Sequence, residues 1–218
     1  MKAHQVKTTR LLPMLALLIA GWVAAGAQAS AAGMSVLDFP GGCAVLIKGT
    51  ILPDDPARFE RLMTERAECR AVAFDSQYGQ ELPAMRIGRM IRARQMLTKI
   101  PDDATCAGAC LYAFVGGAVR SIDDKARVGV RMPSFAHSEP VVREIQRLIQ
   151  QLGVRATEPV LISAERTSFQ IAAALSQYLV AMDISTMVLM TAAETNATTT
   201  RWLSPAQLKE LRIASPAP

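Results

Sequence analysis

The 218-residue chain carries 24 Lys and Arg against 19 Asp and Glu, a net charge of +5. Three of those cations, Lys2, Lys7 and Arg10, lie at the N-terminus; without them 21 face 19, which removes the electrostatic case for a nucleic-acid partner. The roughly 190 residues that follow the N-terminal segment suffice for one domain with its own core.

Residues 1–29 read as a secretory signal: a basic start, an apolar run over 11–25, and the small-x-small pattern Ala27-Gln28-Ala29. The rival reading is an uncleaved N-terminal anchor, since residues 11–27 approach the length that spans a bilayer. Pro13, Gly21 and Gly26 weaken such a helix and favour cleavage. Either way the rest of the chain is expected to be exported, to the periplasm or cell envelope. A membrane partner is expected only if the segment stays attached.

Residues 30–42 read as a small-residue linker ending in Pro40-Gly41-Gly42. Residues 43–51 form a buried-type strand, and Asp55 followed by Pro56 reads as the N-cap and first position of a helix. A second strand over 70–75 leads through Ser76-Gln77-Tyr78-Gly79 into a helix with apolar Leu82, Met85, Ile87, Met90 and Ile91. Arg86, Arg89, Arg92 and Arg94 are interleaved there; a solvated face is the simpler reading, a patch for an acidic partner the other.

Residues 96–100 are a short extended segment, and residues 105–117 then open an apolar helix. Cys106 and Cys110 sit four apart, which places both on one side of that helix's first turn, with Ala107, Gly108 and Ala109 between them. Free N–H groups and the positive dipole end make such a turn a place to stabilise an anion or hold a nucleophile, yet it contains no Ser or Thr. Two short strands follow over 118–122 and 126–132, then helices over 141–152, 169–182, 184–193 and 204–211, the last with Ser204 as N-cap. Alternating strands and helices followed by a helical tail predict an α/β fold with a mainly parallel sheet and crossover helices.

All four cysteines lie in the exported part, where disulfides persist. Their spacing fits no zinc pattern, so neither metal nor cofactor is expected. At least one bridge is expected, Cys106 with Cys110 or Cys43 with Cys69.

The order Gly49-Thr-Ile, Phe74-Asp-Ser-Gln-Tyr-Gly, Arg89-Met-Ile-Arg, Cys106-Ala-Gly-Ala-Cys, Phe114-Val-Gly-Gly, Val128-Gly-Val and Trp202-Leu-Ser-Pro-Ala-Gln-Leu resembles the exported ClpP/crotonase-like proteins. The resemblance covers residues 43–213, with 214–218 left as a tail, and is weakest between 137 and 168, where this chain is longer. It implies that fold, with self-association through the helical tail. In the family the first helix turn reads Cys-x-Ser-Ala-Cys with Ser as nucleophile, a following strand ends on a base His, and a Ser-Pro-Gly-Gly loop forms the oxyanion hole. This chain has Gly108, Arg131 and Tyr78-Gly79 at those places. Glycine has no side chain to attack with, and Arg131 stays protonated and accepts no proton.

The expectation is therefore a domain without the Ser/His pair, acting by binding or assembly, with a peptide or other carboxylate as ligand near Arg131. The alternative is an atypical peptidase or acyl hydrolase that uses Cys106, Cys110 or His137. The crotonase branch holds a thioester oxyanion on backbone N–H groups, which Gly108 and Tyr78-Gly79 also offer, but acyl-CoA is not expected outside the cytoplasm.

Overall fold

In strand β2 (Gly42–Lys48) the side chains of Cys43, Val45 and Ile47 are buried while Ala44 and Leu46 between them are only partly covered. That period of two commits one face of the strand to the core. The computed structural model describes residues 31–134 and 139–215. Around β2 it builds a five-stranded sheet in the order β1-β2-β3-β4-β6, with β1 (Gly33–Phe39), β3 (Ala71–Asp75), β4 (Leu97–Ile100) and β6 (Val119–Ile122). From β2 through β6 every pairing is parallel, and α1 (Asp55–Glu65) and α2 (Glu81–Ala93) supply the crossovers between β2, β3 and β4. A second sheet joins β5 (Thr105–Ala107), β7 (Arg127–Val130) and β8 (Arg201–Trp202). Helices α3 (Ala109–Phe114), α4 (Glu139–Leu152), α5 (Thr157–Ala181), α6 (Met187–Ala193) and α7 (Pro205–Glu210) complete the chain. The mainly parallel sheet with crossover helices and a helical C-terminal region matches the expected class.

Four expectations are corrected. The stretch read as a linker over 30–42 contains β1, which pairs antiparallel with β2. Its two-residue turn, Pro40-Gly41, works because Gly41 takes φ +91°, and Met34 and Val36 pack on the core. Asp55 is not a cap but the first residue of α1; its fully buried carboxylate accepts from Leu52 N–H at 2.8 Å and pairs with Arg58 at 2.7 Å. Helix α5 begins at Thr157, not 169, because its first half serves no core and so shows no buried stripe. The expected helix over 184–193 starts only at Met187, after Asp183 reverses the chain at φ 57°.

The arginines of α2 are not all solvated. Arg92 donates to Val115 O at 3.3 Å and Met182 O at 3.2 Å, satisfying carbonyls at the ends of α3 and α5. Arg89 lies 5.2 Å over the Tyr178 ring. Residues 214 and 215 are likewise tied down: Ser215 exchanges hydrogen bonds with the Arg120 backbone, and the Arg120 guanidinium reaches Ile213 O at 2.9 Å.

Both cysteine pairs are bridged, with Cα separations of 4.6 Å for Cys43 and Cys69 and 5.3 Å for Cys106 and Cys110. Loop-closure entropy assigns about 3–4 kcal/mol to the first bridge and about 2 kcal/mol to the second, because the first closes much the longer loop.

Candidate functional site

The chain leaves β5 at Ala107, turns at Gly108 and enters α3 at Ala109. Cys106 therefore stands on a strand and Cys110 on a helix, not both on one helical turn. The strand forms because Ser76 N–H donates to Thr105 O at 2.7 Å and Ala107 N–H donates to Ser76 O at 3.1 Å, a ladder no local spacing announces. Gly108 takes φ 57° and ψ −122°, a conformation that costs any residue with a Cβ about 1–3 kcal/mol. Its N–H donates to Gly129 O at 3.3 Å, and its own carbonyl accepts from Leu111 N–H at 3.1 Å. The disulfide straddles the turn, and both of its cysteines are fully buried.

Gly108 lines a cavity of about 530 Å³, together with Ala109, Gln77, Tyr78, Gly79, Glu81 and Arg131. A Cβ on Gly108 would meet nothing closer than the Arg131 Cβ, at 3.8 Å. Arg131 follows β7 directly, so the pairing of β5 with β7 sets these two positions side by side. Its Nη2 donates to Thr200 Oγ1 at 2.6 Å, and its guanidinium lies 4.7 Å over the Tyr78 ring. The buried Nε donates to nothing among the described residues, and no carboxylate there forms an ion pair with Arg131. A half-buried cation without an ion-pair partner among the described residues thus lines the cavity.

On the opposite wall, Ile51 N–H donates to Tyr78 O at 3.1 Å and Gln80 N–H donates to Ile51 O at 2.9 Å. This parallel bridge turns Gly79's own N–H away from Ile51. A Cβ on Gly79 would lie 2.7 Å from Ile51 O, so only glycine lets the loop pack this closely. Ala109 opens α3, and its N–H belongs to the first turn, which has no intrahelical acceptor.

Glu81, the first residue of α2, was not a sequence candidate. An acid in a helix's first turn ordinarily serves the dipole, and nothing in its spacing links it to Arg131. Burial pushes its carboxyl above the usual range, and the nearby Arg131 charge only partly opposes this. The folded chain therefore holds this proton more tightly than the unfolded one. The resulting stability is complete below the unfolded carboxyl's range, about pH 4, and is lost as pH rises through the folded value. Glu81→Gln is accordingly expected to raise Tm at pH 7 relative to the native chain, with the gain vanishing near pH 4. Melting curves across that interval check it.

The remaining candidates fall out differently. Cys106 and Cys110 are joined, so neither presents the thiol that the hydrolase alternative needs. Cys43 and Cys69 lie close to Glu68, but their bridged sulfurs are not metal ligands. His137 lies outside the described residues. At the turn itself the chemistry on offer is a fixed cation and backbone N–H groups, an arrangement that stabilises an anion.

No family model matches the chain, and no curated protein matches its sequence. Solved structures do match. A point mutant of ClpP1 from Listeria monocytogenes is 15% identical over 78% of this chain and 88% of its own, with a TM-score of 0.50. ClpP1 of the same organism without that mutation is 14% identical over the same shares, at a TM-score of 0.48. A putative enoyl-CoA hydratase from Streptomyces coelicolor A3(2) is 12% identical over 91% of this chain and 70% of its own, at 0.44. At 15% identity the likeness to ClpP1 is one of fold. The chain has the ClpP/crotonase-like fold.

Proposed function

We propose that this chain is an exported ClpP/crotonase-like domain that lacks the Ser/His catalytic pair and works by binding or assembly. Its cavity beside Gly108 takes a carboxylate, such as the C-terminus of a peptide. The observation that carries this reading is Arg131, a cation lining the cavity with no ion-pair partner among the described residues. A guanidinium there suits a carboxylate and cannot serve as a proton acceptor. The two disulfides fit an oxidising compartment, as does the signal-like pattern of residues 1–29. Among the described residues no helix is long and apolar enough to cross a membrane, so attachment would fall to the N-terminal segment.

Calorimetric titration with short peptides ending in a free carboxylate or in an amide tests the reading. The free acid is expected to bind more tightly. Arg131→Ala should cost it about 1.5–3 kcal/mol, tenfold or more in affinity. Equal binding of acid and amide, or an Arg131→Ala chain that binds the acid as the native one does, would end it.

A further inference from the structure

Among the described residues that line the cavity, Arg131 and Glu81 carry charge and the others are neutral. Different elements hold the two. Arg131 follows β7, bonded to Thr200 at 2.6 Å and 4.7 Å over the Tyr78 ring, while Glu81 opens α2. They form no ion pair with each other, and neither has an ion-pair partner elsewhere among the described residues. The helix dipole does not account for Glu81, because an exposed acid in the first turn serves a dipole equally well and escapes the cost of burial. Here burial raises the half-buried carboxyl, opposed only by its own backbone N–H and by the Arg131 charge. Glu81 therefore costs the fold stability at neutral pH and gains no ion pair in return. A charge kept in a cavity at such a cost points to a ligand.

We infer that the cavity takes a ligand of two charges, the last residue of a peptide that ends in lysine or arginine, with its carboxylate at Arg131 and its basic side chain at Glu81. This rests on the carboxylate reading of Arg131 and deepens it by setting a side-chain preference. The ligand's cation supplies the counter-charge that the described chain does not, and so stabilises the anionic form of Glu81. A neutral side chain leaves that acid unpaired. At about 530 Å³ the cavity lies within the range of about 300–1,000 Å³ that encloses ligands larger than a free amino acid, which favours a peptide.

Calorimetric titration of the full chain at neutral pH tests it. The probes are acetyl-Ala-Ala-Lys and acetyl-Ala-Ala-norleucine, each as free acid and as amide, together with free lysine. The lysine acid is expected to bind about tenfold or more tightly than the norleucine acid, which has a similar stem without the charge. Glu81→Gln should remove that preference by weakening the lysine peptide alone. Arg131→Ala should weaken both acids by the same factor. Equal binding of the lysine and norleucine acids overturns the inference, as does a preference that survives Glu81→Gln. Free lysine that binds as tightly as the peptide overturns it too. The two readings fail separately. Acids favoured over amides with no lysine preference end this inference alone. A lysine preference that depends on Glu81 but is the same for acid and amide ends the carboxylate reading, while the cation site at Glu81 stands.

Discussion

Gly116→Ala is expected to lower Tm by roughly 6–12 °C, the largest loss of stability from adding one methyl group to this domain. A Cβ there would lie 2.2 Å from Gly88 O, 2.5 Å from Gly88 Cα and 2.6 Å from Gly88 C. All three are backbone atoms of α2, so no rotamer change relieves the clash. The segment just after α3 and the middle of α2 touch backbone to backbone, and the two elements must separate to admit the methyl. Overpacking costs about 1–3 kcal/mol when side chains can yield, and the upper end or more applies when they cannot. Gly88 is enclosed from the other side: a Cβ there would lie 1.9 Å from the Tyr178 hydroxyl, which donates to Tyr112 O at 2.5 Å. Burial pushes the Tyr178 hydroxyl's pKa far above its ordinary value, which keeps it a donor. Gly33, where the nearest atom to an added Cβ is 3.7 Å away, is the control, expected within about 0.5 kcal/mol of the native chain. Calorimetric melts of the two variants decide the matter. A Gly116→Ala chain that melts with the native protein would mean that α2 and α3 are not in this contact. The consequence reaches the cavity, because α3 begins at Ala109 on its wall.

The sequence was most legible where one element carries its own signal. Cys43, Val45 and Ile47 alternate as a half-committed strand must, and Ser204 with Gln207 forms the full capping box of α7. It was least legible where structure depends on a distant partner. β1 is held by pairing with β2 and by Asp55, which accepts from Ala32 N–H at 3.3 Å across 23 residues. β5 is held by Ser76, and β8 by β7; a three-residue and a two-residue strand leave no periodicity to read. The first half of α5 has no core-facing stripe, so the rule that finds helices by their buried face passes it over.

The site divides along the same line. Gly108, Arg131 and Tyr78-Gly79 were singled out through the order of short motifs, and the structure puts them around one cavity. Thr200, which holds the Arg131 guanidinium from 69 residues away, and Glu81 across the cavity had no such signal. The four-residue spacing of Cys106 and Cys110 misled for a related reason. It matches a helix face, but here it bridges a strand and a helix around a glycine whose positive φ only the tertiary ladder explains.

Putting a hydroxyl and an imidazole at that turn is expected to raise ester hydrolysis above that of the native chain. Gly108→Ser places Oγ in the cavity, and the backbone there already has the sharp strand-to-helix geometry from which a serine projects. The change should cost about 1–3 kcal/mol, because a Cβ must adopt φ 57°. Alone it should remain inert toward short esters and a fluorophosphonate probe, because its neighbour is a guanidinium that takes no proton. Adding Arg131→His supplies a base whose Cβ stands 3.8 Å from that of the new side chain, close enough for a hydrogen bond between hydroxyl and ring. General-base assistance is worth roughly 10²–10⁴ in rate, and that factor should separate the double variant from Gly108→Ser alone. The backbone around the turn is the same in both variants, so the comparison isolates the base. Two results would count against the degenerate-site reading. A native chain that already turns over these esters, at a rate Arg131→Ala leaves unchanged, would place catalysis on another group. A folded double variant no faster than the single one would show that the two positions are not in catalytic reach of each other.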